Sequence, residues 1–255
     1  MTGTSSRLAE MGLVIAAMQI KVRYKNSWLG YLWSLGHPLG LTLVFAFAFH
    51  VVLPLGREDM VAFLVSGLFA WHWAGNSVVA GTRAFAGNRD LIKKVRFPHW
   101  LLAAGQVLQD GWQFAASLPV VAVILAVYGI HPQWDWLPGI VVLFTIQAVV
   151  LLGLTLLVGS LNMVLRDMEH LVRVVLAFLL YCTPVIYRLD QVPAGWRGMM
   201  MLNPLAGLME AWRSLLLEGT LAWPLMMVAS LHGLVWLPVG IAVYRRLSPH
   251  FYDHA

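Results

Sequence analysis

Gln106, Gln109, Asp110 and Gln113 stand at i, i+3, i+4 and i+7, with Ser117 one turn further on, inside an apolar run from Leu101 to Tyr128. At 3.6 residues per turn, that spacing gathers one carboxylate, three carboxamides and a hydroxyl on a single helix face. A carboxylate at membrane depth costs roughly 2.5–3.5 kcal/mol on insertion scales, so such a face turns towards protein or water and away from lipid. Two roles fit it: the hydrophilic wall of a transport path, or a polar seam that joins helices. Acid–base catalysis fits poorly, because Asp110 has no evident intramembrane carboxylate partner.

A second set of functional side chains lies just upstream, in RAFAGNRDLIKKVRFPHW, residues 83–100. Arg83, Arg89, Lys93, Lys94 and Arg96 crowd into this stretch of a chain in which only 11% of residues are charged, so it cannot share the hydrocarbon with its neighbours. Leu91, Ile92, Val95 and Phe97 alternate with the cations, Asp90 supplies a helix-start acid and Pro98 a stop. The pattern predicts a surface helix of one to two turns, with an apolar face for docking and a basic face. It reads equally as a positive-inside loop that only fixes topology.

Flat rings are a third resource. Phe45, Phe49, Phe69, Trp71 and Trp73 could stack on pyranose C–H faces, although aromatics of membrane proteins otherwise fill belts and cores. The nine histidines show no metal spacing, and His72 and His232 read as hydrogen-bonded core residues. A P-loop needs glycine before its lysine, whereas the four lysines follow Ile20, Tyr24, Ile92 and Lys93. ATP hydrolysis by that route is excluded, and the absence of H-E-x-x-H and G-x-S-x-G leaves zincin and elbow-serine chemistry without support.

These residues must be positioned by a membrane-embedded helical frame. With 60% hydrophobic residues, 12 tryptophans in 255 residues and a mean hydropathy of +0.73, the chain is too apolar for a soluble domain of its length. The pI of about 9.6 follows from cations at a membrane face and calls for no nucleic acid. The single cysteine, Cys182, lies in an apolar run, excludes an intramolecular disulfide and reads as a packed core residue.

Apolar runs predict an all-α integral membrane protein with six spans at about 30–53, 60–80, 101–128, 138–161, 174–187 and 221–244. Leu8, Met11, Ile15, Met18 and Val22 recur at helical spacing in 8–25, which fits a helix lying on the inner membrane surface. Arg7, Lys21, Arg23, Lys25, the basic stretch, Arg166, Arg173, Arg245 and Arg246 then fall on one side. Only Arg57, Arg188, Arg197 and Arg213 fall on the other. Both termini are thus expected in the cytoplasm. Repeats and low-complexity segments are absent, and the connections are too short for a second folded domain. In the outer segment, Asn203 and Pro204 open a helix whose Leu205, Leu208, Met209, Trp212, Leu215 and Leu216 form one stripe, with Glu210, Arg213 and Ser214 off it. It is either a brace on the membrane surface or a gate at the outer mouth.

The blocks KVRYKNSWLGYLWSLGHPL (21–39), NRDLIKKVRFP (88–98), SLNMVLRDMEHLV (160–172), TPVIY (183–187) and LNPLAGLMEAWR (202–213) together resemble the membrane subunits of ABC-2 type polysaccharide exporters, closest to those that export O-antigen or teichoic-acid chains. The resemblance implies a homodimer in the bacterial inner membrane, paired with two copies of a separate ATPase subunit that uses ATP and Mg; the chain itself binds no cofactor and no metal. It implies polysaccharide linked to undecaprenyl diphosphate as cargo, with membrane lipid around it. Residues 8–25 would be an interface helix, and 88–98 (Asn88, Arg89, Asp90, Leu91, Ile92, Lys93, Lys94, Val95, Arg96, Phe97) a coupling helix in a groove of the ATPase. Arg166 and Asp167 would lie in the second cytoplasmic loop, and 190–217, with Asn203, Pro204 and Trp212, would form gate helices. The polar face, Phe45, Phe49, Trp71 and Trp73 are candidates for the substrate path. An ABC-2 permease for teichoic acid, capsule or a small hydrophobic cargo is the alternative, and a membrane-embedded transferase a remote one.

Overall fold

Inside a bilayer the backbone must satisfy its own N–H and C=O groups, and a helix does this within one segment. The structure, a computed structural model, describes residues 30–48, 59–95 and 97–252, and among these it contains helices and turns but no strand. The expected interface helix at 8–25, Phe49 and Arg96 lie outside the described residues.

The helices are α1 (Gly30–Phe47), α2 (Met60–Ala86), α3 (Arg89–Lys94), α4 (Trp100–Val127), α5 (Trp136–Val164), α6 (Met168–Cys182), α7 (Ala194–Met200), α8 (Ala206–Arg213) and α9 (Trp223–Leu247). Helix α2 is the axis of the fold. From Ala62 to Trp71 every residue is buried, which only a helix covered on all sides allows. Its covers are α1, α4, α5, α6 and α8. The most extensive pair is α5 with α9. There, a Cβ on Gly153 would come within 2.5 Å of the Trp236 backbone, and one on Gly240 within 2.2 Å of the Gly153 carbonyl. Absent side chains are what let these two backbones meet.

Among the described residues, three helices are long and apolar enough to cross a membrane: Trp100–Val127, Trp136–Val164 and Trp223–Phe251. Helix α2 has the length, at 27 residues or about 40 Å, and runs past the expected end at 80 until Gly87. The stretch expected as a fifth span, 174–187, is instead the 15-residue α6, which starts at Met168 and stops at Cys182. Thr183 precedes a proline and takes extended angles, φ −108° and ψ 140°, as the clash with the proline ring demands. At about 22 Å, α6 is short for a crossing on its own. Cys182 is exposed rather than packed in the core.

The segment expected on the outer side folds as a 3-10 turn at Leu189–Gln191, then α7, then α8 with a wider turn at Ser214–Glu218. Gly219 ends it with φ 65°, a left-handed angle that glycine adopts freely. Helix α8 begins at Ala206 and not at Pro204. Asn203 does not cap it; its Oδ1 accepts the Leu205 N–H at 3.0 Å and forms the preceding turn. The stripe is as expected: Leu205, Leu208, Met209, Trp212, Leu215 and Leu216 are all buried. Arg213 corrects the expectation, for it is buried as well, 5% exposed.

Candidate functional site

The basic stretch builds a platform at one end of the molecule. Its helix is shorter than the expected 88–98, because Val95 leaves α3 in an extended conformation, φ −126° and ψ 131°. Ile92 is 1% exposed and enters a cluster with Phe85, Leu101, Leu102, Leu156, Met163 and Phe251. One side chain thus ties α3 to the ends of α2, α4 and α5 and to the turn that follows α9. Leu91 and Phe97 pack against the same cluster, and the Phe97 ring meets His99 edge-on at 5.3 Å. The apolar face expected for docking is therefore used mostly by the chain itself. Asp90, Lys93, Lys94 and Val95 remain exposed. Asn88 donates to the Ala84 carbonyl at 2.9 Å and does not cap. Arg89 is half-buried, and its Nε is buried without a hydrogen-bond partner among the described residues. Burial pushes the His99 imidazole below its ordinary value of 6.5, so it stays neutral at pH 7.

Beside the platform, Glu169 at the start of α6 accepts from Arg83 Nε at the end of α2 and from Arg173 Nη2 at 2.7 Å. The hydrogen bond from Arg173, supported by Arg83, holds its carboxyl below the usual carboxylate range. Arg166 and Asp167 are exposed in the tight turn between α5 and α6.

The polar face of α4 assembles as its spacing predicted. Asp110 is 2% exposed and its Oδ2 accepts from Gln106 Nε2 at 2.8 Å and from Ser77 Oγ of α2 at 3.2 Å. With His72, Asn76, Gln113, Ser117, Phe69, Trp73 and Phe114 it lines a cavity of about 20 Å³, room for one water molecule. His72 is tied to Asn76 at 2.9 Å and stacks on His37 at 4.7 Å. Gln109 is buried at 2%. Trp73 stacks between Phe114 and Phe144 and donates to the Val107 carbonyl; Trp71 is buried and Phe45 half-buried against the same core.

At the other end, Trp212 Nε1 donates to Gln147 Oε1 at 2.6 Å, and Gln147 Nε2 to the Ala70 carbonyl at 3.0 Å. Asn203 Nδ2 donates to Thr183 Oγ1 at 2.7 Å. Arg213 pairs with Glu210 at 2.6 Å, donates to the carbonyls of Pro184 and Val185 at 2.9 and 3.0 Å, and lies 3.8 Å from the centre of the Phe63 ring. One guanidinium thus binds α8, the end of α6 and α2. Sequence reading missed it, since an arginine off an apolar stripe looks solvated, and the carbonyls that hold it lie far away in the chain. Next to it opens a cavity of about 340 Å³, rimmed by Arg188, Asp190, Arg197, Glu210 and Glu218 among others.

Likeness to known proteins bears on what this arrangement serves. A family model described as ABC-2 type transporter matches residues 13–217. Two relatives from Klebsiella pneumoniae, each described as O-antigen export system permease protein RfbA, are 32% identical over 96% of this chain and 94% of their own length. A third with the same description, from Myxococcus xanthus, is 35% identical over 92% of this chain and 93% of its own.

Proposed function

This chain belongs to the ABC-2 type transporter family, and on that premise we propose that it is the membrane-embedded half of an ATP-driven exporter of O-antigen, working as a homodimer in the bacterial inner membrane with two copies of a separate ATPase subunit. The observation that carries the reading is the likeness, over almost the whole chain, to three O-antigen export permeases. The lack of glycine before any lysine agrees with it, since the chain then needs a motor from elsewhere.

In this reading the polypeptide crosses six times with both termini inside, the short α6 making the fifth crossing together with the residues that follow it. The ATPase pushes on α3 from the cytoplasm. Asp90, Lys93 and Lys94 offer it charges, and Ile92 passes the displacement to the helix ends around Phe85, Leu102 and Leu156. One protomer has too few helices to enclose a solvated glycan, and its interior cavity at Asp110 admits a single water; the path for polysaccharide on undecaprenyl diphosphate therefore opens between two protomers. The polar face of α4, held against α2 within each protomer through Asp110 and Ser77, and the aromatics Phe45, Phe49, Trp71 and Trp73 line that path once α2 and α4 part, and α7 and α8 gate its outer mouth.

Purification of the chain with the products of neighbouring genes tests the reading. A nucleotide-hydrolysing subunit should accompany it in equal number, and its hydrolysis should rise when lipid-linked glycan is added. A chain that purifies alone and moves glycan without nucleotide would refute it.

A further inference from the structure

We propose that Arg83 and Arg173 form a phosphate clamp for an anionic membrane phospholipid at the junction of α2 and α6. Glu169 gathers two guanidinium groups from two helices onto one carboxylate. Arg83 Nε donates to its Oε2, while Arg173 Nε and Nη2 donate to its Oε1 at 3.3 and 2.7 Å. Both arginine side chains stay largely open, 69% and 58% exposed. Each carries five N–H donors, and those on both Nη atoms of Arg83 and on Nη1 of Arg173 find no acceptor among the described residues. The trio keeps one net positive charge, already oriented in two forks that match phosphate oxygens.

What lies next to the trio selects a lipid. The exposed sector of α6 that begins at Arg173 continues through Val174, Phe178 and Tyr181, which are 41%, 69% and 62% exposed, with Leu171 beside them at 53%. Helical spacing places these side chains on one uncovered side of a helix about 22 Å long. A cation pair at the end of an apolar strip, which runs about 15 Å from Leu171 to Tyr181, complements a molecule with a phosphate head and hydrocarbon chains. Charge decides among such molecules, since a zwitterionic head gains nothing from the surplus cation while an anionic one does. Glu169 then has two roles: it orients the arginines, and its own charge limits how tightly a phosphate is held. The clamp goes beyond the export reading and needs only a bilayer, so it can fail while that reading stands.

The test uses the full chain in detergent micelles, titrated with phosphatidylglycerol or phosphatidylcholine and followed by native mass spectrometry. Wild type should retain phosphatidylglycerol in preference. Arg83→Gln with Arg173→Gln should weaken that retention roughly tenfold. Arg245→Gln with Arg246→Gln, which removes two exposed cations with no carboxylate between them, should leave it unchanged. Glu169→Gln should strengthen it, because a like charge is removed while the arginines remain. Equal retention of the two lipids would overturn the proposal, as would loss of retention in Glu169→Gln, which would make the trio a purely structural pair. A change in oligomeric state on losing the arginines, with lipid retention unaffected, would assign the face to a second copy and overturn it too.

Discussion

The two ends of the molecule handle charge in opposite ways. At the platform, the cations Lys93 and Lys94 are exposed and an isoleucine, Ile92, is buried beneath them. At the far end the cation itself is buried, with Arg213 enclosed by Glu210, two carbonyls and the Phe63 ring. The first arrangement leaves charge available to something that arrives and anchors the helix through apolar contact. The second spends charge internally and fixes geometry: a buried ion pair adds little net stability over an apolar replacement, but loss of one partner strands the other. In the proposed reading, one end is pushed and the other holds a defined shape until it is released.

That contrast would break first at Arg213. Arg213→Met should cost about 3–5 kcal/mol in thermal unfolding, because Glu210 and the carbonyls of Pro184 and Val185 lose the donor they share; a cost near zero would mean the pair is solvated in the membrane. Trp212→Phe keeps the ring and removes the N–H, leaving Gln147 Oε1 without its donor. A loss of about 1–3 kcal/mol is expected, readable in the same melt. At the platform, Ile92→Val should cost about 0.5–1.5 kcal/mol and lower export in step with the loosened anchor. Lys93→Gln with Lys94→Gln should leave the melt within about 0.5 kcal/mol of wild type, yet separate hydrolysis from export.

The smallest effect is a pH dependence. Glu169 has its carboxyl held low by Arg173 and Arg83; its contribution is present above the ordinary carboxylate value and is lost as pH falls through the lowered one. His99 acts with the same sign at higher pH. Its depressed value means that the unfolded chain takes up a proton more readily, so stability declines as pH falls below about 6.5. Arg173→Gln should remove most of the dependence near the carboxylate range at a cost of about 0–1 kcal/mol, as befits an exposed pair.

How much of this was readable beforehand depended on whether the determining contact was local. The α4 face followed from spacing alone, and Gln106 and Asp110 do meet at 2.8 Å. The stripe on α8 followed equally well from its 3.6 period. Helix α6 was misplaced because the apolar Val185 and Ile186 prolong the hydrophobic run past Cys182, although Thr183-Pro184 already carried the signal to stop. Helix α3 showed its apolar positions, but nothing local revealed that Phe85, Leu156 and Phe251 would take up Ile92. Arg213 was illegible for the same reason: its partners Pro184, Val185 and Phe63 come from other elements. Glu169 and Arg173 form an ordinary i, i+4 pair, and only the fold adds Arg83 to it.

Force entering through α3 from a separate ATPase is the central proposal. Reconstitution of the complex with Asp90, Lys93 and Lys94 all replaced by alanine, with nucleotide hydrolysis and glycan export measured on the same vesicles, tests it most directly. Hydrolysis should continue while export falls at least tenfold and the helices remain folded. Export at the wild-type rate from that variant would contradict the account.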